Sequence, residues 1–165
     1  MSGMRGAAAM ALLAGALGWG CDAPAPAPPL QQPLPFSHRL HAGEYQIGCT
    51  ACHAYAAHSP IAGIPSMQRC DGCHKLVGRD RPAIQQLEQA VADGKPIAWN
   101  RVYRVPDHVR FTHQRHLAAG LRCQTCHGEV QAMDAVRQVT PLTMGWCLNC
   151  HEAKGAPRDC LVCHK

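Results

Sequence analysis

Hydrophobic residues along this chain follow two extended patterns and otherwise come in fragments. The first pattern is an apolar run from Ala7 to Leu17 behind a single charge at Arg5. A membrane-spanning helix needs about 20 apolar residues, so the run is short for that and reads as an export signal over residues 1–20. The second pattern is RPAIQQLEQAVADGKP, in which Ile84, Leu87, Ala90 and Val91 recur at the spacing of one helical face. Pro82 suits the first turn, and Gly94 followed by Pro96 suits a stop, so this is the one long helix the pattern predicts. A brief alternation from Val102 to Val105, ahead of Pro106, has the period of a short extended strand. The other apolar residues are scattered among Gly, Pro, Cys and His. That distribution predicts short helices and irregular loops, a mostly α chain with little or no sheet.

Cys21 directly follows the apolar run. Acylation of this cysteine after cleavage would anchor the chain as a lipoprotein. Leu17 and Gly20 suit that processing, whereas Gly18 and Trp19 depart from the usual residues before such a cysteine. Ordinary signal cleavage nearby and an uncleaved N-terminal anchor are the alternatives. All three put the domain on the outer, periplasmic side of a bacterial membrane. The next stretch, DAPAPAPPLQQPLP, has six prolines in fourteen residues and predicts a semi-rigid tether over residues 21–35. The folded domain is then expected over residues 36–165.

Composition sharpens this outline, because only 5% of the 165 residues are aromatic and a core of large side chains is hard to assemble. The cysteines show what could replace it. Apart from Cys21, all of them fall in five copies of Cys-x-x-Cys-His: Cys49/Cys52/His53, Cys70/Cys73/His74, Cys123/Cys126/His127, Cys147/Cys150/His151 and Cys160/Cys163/His164. Chance would supply roughly 0.05 copies at this composition. Two thiols at this spacing can add across the two vinyl groups of one haem while the adjacent histidine binds its iron. Zinc needs four ligands and gives no reason for a histidine after every pair, and a disulfide framework is equally silent about the histidines. The expectation is five covalent c-type haems, stacked so that the porphyrins themselves form the core of a compact domain.

Removing the motif histidines leaves His38, His41, His58, His108, His113 and His116. Four of them lie in two similar phrases, FSHRLH and FTHQRH, and these open an internal duplication. His38 and His41 precede CTACH by seven residues, and CDGCH follows after sixteen more. His113 and His116 precede CQTCH by six, and CLNCH follows after nineteen. The repeats span about 36–80 and 106–152, and Met67 and Met144 occupy matching places in them. Each supplies two haem motifs and two spare histidines, which balances four bis-His haems. The two histidines of such a His-x-x-His are expected to serve neighbouring haems. The fifth motif, in residues 153–165, has no His-x-x-His of its own. His58 or His108 reaching over from elsewhere is the expected sixth ligand for His164's haem, with Met133, Met144 or an open face behind them.

The formal charge of +5 is not an argument for nucleic acid. Loss of Arg5 and the addition of haem propionates bring the holoprotein to about −1 oxidised and about −6 reduced. The arginines are better read as propionate partners.

The phrases AGIPSMQRCDGCH, WNRVYRVPDHVRFTHQRH, CQTCHGEV and LTMGWCLNCH carry a resemblance. The chain is similar to multihaem cytochromes of the c3/c7 class, and more narrowly to the multihaem subunits of alternative complex III and menaquinone reductase complexes. The resemblance implies bis-His haems with His38, His41, His113 and His116 as distal ligands. It also implies electron exchange between quinone-linked membrane subunits and a periplasmic carrier. The lipid-tether signal replaces the membrane helix frequent in such subunits, and His58 and His108 are extra to the family pattern. A stand-alone tethered carrier is the alternative, and a small multihaem reductase with one open haem is a third reading.

Overall fold

The structure is a computed structural model that describes residues 28–165. The export signal, Cys21 and the first part of the proline-rich segment lie outside the described residues. Among the described residues seven α-helices follow in order: α1 Cys49–Cys52, α2 Met67–His74, α3 Pro82–Ala92, α4 His113–Ala118, α5 Gln124–His127, α6 Met144–Ala153 and α7 Cys160–Cys163. A π-helical turn at Arg39–Glu44 and a 3-10 turn at Val130–Ala132 complete the regular structure. No strand occurs among the described residues, and long loops join the helices.

Helix α3 is the long helix that the apolar spacing predicts. Leu87, at the centre of its apolar stripe, is 4% exposed. Gly94, at φ +64°, ends the helix while the Lys95 amide reaches back to the Ala90 carbonyl at 3.0 Å. Glycine adopts this left-handed geometry without a Cβ clash, which is why it closes helices in this way. The α3 helix packs on α2.

The extended segment expected at Val102–Val105 forms no pairing. Side-chain bonding claims that stretch instead: the Tyr103 hydroxyl accepts from the Val139 amide at 3.0 Å and lies 3.3 Å from the Arg137 carbonyl oxygen. Pairing comes later, as a single antiparallel bridge between Val109 and His164.

Residues 31–34, which composition assigns to the tether, are held against the domain. Gln32 and Asn100 exchange two 2.9 Å hydrogen bonds, the Asn100 side chain donates to the Gln31 carbonyl, and Leu34 is buried.

The two repeats clasp each other reciprocally. The Arg39 amide donates to the Met133 carbonyl at 2.9 Å, while the His113 and Gln114 amides donate to Pro60 and Ser59 at 3.1 and 3.3 Å. In each case the distal-histidine turn of one repeat is capped by the loop after the first motif of the other. Gly43 admits the close approach, since a Cβ there would run into the Gln131 carbonyl oxygen.

Among the described residues only Leu34, Ala56, Leu87 and Met133 form a buried apolar core, and no polar residue is buried. A polypeptide of this size does not hold its shape by so little side-chain burial. The fold depends on something packed between its segments.

Candidate haem-binding sites

Each Cys-x-x-Cys pair lies on or beside one short helical turn, which puts residues i and i+3 on one face. The motif histidine follows directly: His74 and His127 close α2 and α5, His151 lies inside α6, and His53 and His164 come just after α1 and α7. His53 and His164 already leave helical geometry, at φ −91°, ψ 57° and φ −109°, ψ 148°.

Every motif histidine faces a second imidazole. His53 lies opposite His38, with ring centroids 6.5 Å apart, and His74 opposite His41 at 6.1 Å. In the second repeat His127 faces His113 at 6.3 Å and His151 faces His116 at 6.1 Å. His164 faces His108 at 5.5 Å. Two imidazoles on opposite sides of one metal, each bonded at about 2 Å with the ring centre about 1 Å further back, stand about 6 Å apart. Four separations meet that requirement, and the His108–His164 pair falls just short of it. The two histidines of each His-x-x-His face different motifs.

Hydrogen bonding prepares these rings for a metal. The Nδ1 atoms of His41, His53, His113, His116 and His151 lie 2.6 to 2.9 Å from the carbonyl oxygens of Ser37, Gly63, Pro60, Thr112 and Pro157, and His74 is 3.1 Å from that of Val77. A carbonyl can only accept, so each of these Nδ1 atoms carries the proton and Nε2 presents its lone pair. Such a bond also fixes ring orientation at a metal. His38 differs, because its buried Nδ1 has no partner among the described residues. Burial, with His53 and His41 nearby, lowers its pKa to about 4. His127 is also lowered, by burial first and then by His113 and His53.

Two phenylalanines act as clamps that sequence reasoning did not single out. Phe36 stacks on His41 at 4.4 Å and meets His38 edge-on at 4.8 Å. Phe111 repeats this on His116 at 4.6 Å and His113 at 4.9 Å. The signal was present in the recurrence of Phe two residues before each His-x-x-His. The Tyr103 ring packs at 4.4 Å on His127, and no local pattern marks it.

Neighbouring thiols link the five motifs in series. Burial raises the thiol pKa values of Cys70, Cys123, Cys126 and Cys147, and the neighbouring cysteines that add to the shift identify what lies beside each. Cys70 is beside Cys52, Cys123 beside Cys49, Cys126 beside Cys150, and Cys147 beside Cys163. The order is therefore second, first, third, fourth, fifth motif, with the contact between repeats falling between the first and the third.

The ten motif cysteines are not equally enclosed. Cys49, Cys73 and Cys160 are exposed, whereas Cys52, Cys70, Cys123, Cys126, Cys147, Cys150 and Cys163 are half-buried. Cys73 and Cys160 belong to the two motifs that end the series, so each has a neighbouring motif on one side only. Cys49 is exposed although it lies beside Cys123.

His58 is exposed and its ring faces no other histidine among the described residues. Met133 is buried in the small core, and Met144 opens α6 in an exposed position. No disulfide joins the ten cysteines of the motifs. Among the described residues no three His, Cys, Asp or Glu side chains converge as a bare metal site would require. The donor set suits a planar group gripped by two thiols and two opposed imidazoles.

Two comparisons agree with this chemistry. Residues 109–165 match the family model described as cytochrome c7 and related cytochrome c. Over 162 residues, 82% of this chain and 77% of the relative, the sequence is 27% identical to the menaquinone reductase, multiheme cytochrome c subunit, of Nitratidesulfovibrio vulgaris. Together with the Cys-x-x-Cys-His motifs, these likenesses support a multihaem cytochrome of the c3/c7 class that binds c-type haem covalently, an electron carrier rather than an enzyme.

Proposed function

We propose that the protein carries electrons on the periplasmic face of a bacterial membrane through five c-type haems, as the multihaem subunit of a quinone-linked complex. The observation that carries this reading is the set of five opposed imidazole pairs, each of which includes a motif histidine. His38 and His53, His41 and His74, His113 and His127, His116 and His151, and His108 and His164 would each ligate one iron. His58 is then left without one. Once bound, each haem supplies a one-electron couple.

The chain's own residues hold the imidazoles on both faces, leaving no axial position for substrate, and keep neighbouring motifs in contact in one series. Arg115 and Arg122 make no ion pair among the described residues and can meet propionates. Membership of a complex rests on likeness to the menaquinone reductase subunit. Export, and a lipid anchor at Cys21, rest on the sequence alone, and no described helix is long and apolar enough to cross a membrane.

The test is purification from native membranes after mild solubilisation. Intact mass should equal the chain plus five haems, resting ferric spectra should be low-spin, and polytopic quinone-binding subunits should copurify. Release of the cytochrome alone, with five haems, would favour a stand-alone carrier. A mass lacking one or more haems would refute the count.

A further inference from the structure

Four distal histidines are held by several devices at once, and the fifth by one. His38, His41, His113 and His116 lie in or next to helical turns and pack against Phe36 or Phe111. Three of them also give their Nδ1 proton to a backbone carbonyl. His108 has none of this support. It is exposed, lies outside every helix, makes no side-chain hydrogen bond among the described residues, and has His164 as its one aromatic neighbour. Its hold on the site is the short bridge beside it, in which the Arg110 amide donates to Cys163 at 2.6 Å and the Lys165 amide donates to the His108 carbonyl at 3.1 Å.

The opposite side of this pair is half-buried but also lightly held. Helix α7 is a single turn, His164 makes no Nδ1 hydrogen bond among the described residues, and Leu161 is 80% exposed. The 5.5 Å separation is also the shortest of the five opposed pairs. A ligand ring without an outer-shell partner binds metal less tightly and swings more freely.

We infer that the His108–His164 haem is a ligand-exchange site, at which a small neutral π-acceptor of the carbon monoxide or nitric oxide class displaces His108 from ferrous iron. In the exchange the iron–Nε2 bond would break and an iron–ligand bond would form, with no oxidant or reductant consumed. The site stands at one end of the series of motifs, so occupation would tune or close one terminus of the carrier without interrupting the other four pairs. This inference rests on the bis-His reading above.

The probe is carbon monoxide, added anaerobically to the dithionite-reduced holoprotein. Wild type is expected to bind one carbon monoxide per chain, seen as a Soret change in one haem of five. Arg110→Pro removes the amide that donates to Cys163 and is expected to speed uptake about tenfold, with every ferric haem still low-spin. His108→Ala is expected to convert one ferric haem in five to high spin and to take up the same single ligand. Haem content at five per chain controls for misfolding in both variants. Should His108→Ala turn one haem high-spin while the wild type takes up no carbon monoxide, the exchange inference falls and the ligand assignment stands. Uptake spread over several haems would overturn it as well. If His108→Ala leaves every haem low-spin, the ligand assignment itself fails.

Discussion

The imidazole planes of His38 and His53 lie within 2° of parallel, at 6.5 Å between centroids. Their counterparts in the second repeat, His113 and His127, are within 8°. The other two pairs in the repeats are strongly rotated, by 64° for His41 with His74 and 49° for His116 with His151. Each repeat thus holds one parallel and one crossed pair, so the duplication extends to ring orientation. Parallel axial imidazoles split the iron π orbitals, and crossed ones leave them nearly degenerate.

Ferric electron paramagnetic resonance should therefore show two low-spin populations. The pairs at 2°, 8° and 20° should give rhombic signals. The pairs at 64° and 49° should give strongly anisotropic, large-g signals. Integration should yield a ratio near three to two, and a single homogeneous population would contradict the ring geometry.

Acid should reveal His38 late. Burial lowers the pKa of the metal-free His38 ring to about 4 against an ordinary value of 6.5, and an iron bond would hold off its proton further, so below 6.5 the unfolded chain binds a proton that the folded chain does not. Stability from this group is present above pH 6.5 and is lost as pH falls from there towards 4. The ring stays neutral and able to bind metal through most of that window. The expected result is a denaturation midpoint that declines as pH falls below 6.5, while the low-spin signal of this site persists below that pH in the protein that remains folded. Loss of that signal already at pH 6.5 would count against the buried neutral ring.

Phe111→Ala removes the ring that packs on both His113 and His116. A loss of about 1–3 kcal/mol is expected from burial and aromatic contact together. Guanidinium unfolding followed at the Soret band measures it. The same variant should broaden the signals of the second repeat and spare those of the first.

Chain produced without haem attachment should not fold cooperatively. Four buried apolar residues contribute far too little to offset chain entropy. Circular dichroism is expected to show little helix and no thermal transition, and a sharp transition would refute a cofactor-built core.

The haem motifs and the duplication were legible in the sequence because their cause is local. Two thiols must straddle one porphyrin and a histidine must stand beside them, and that constraint is satisfied within five consecutive residues. The bounds of α3 were legible for the same reason, since its apolar face, Pro82 and Gly94 act within a few turns of one helix. Which histidine faces which motif is a different kind of fact. His58 and His108 are equivalent in the sequence, and the bridge between Val109 and His164 brings one of them opposite the last motif while His58 stays on the surface. The order of the motifs likewise departs from chain order, because the two repeats clasp through Arg39, Met133, Ser59 and Pro60 and so place the first motif beside the third. That order also leaves Cys73 and Cys160 at the open ends of the series, which five identical motifs could not foretell. Local covalent chemistry writes itself into spacing. Pairings made across loops leave no period in the sequence and were decided only by the way the repeats pack.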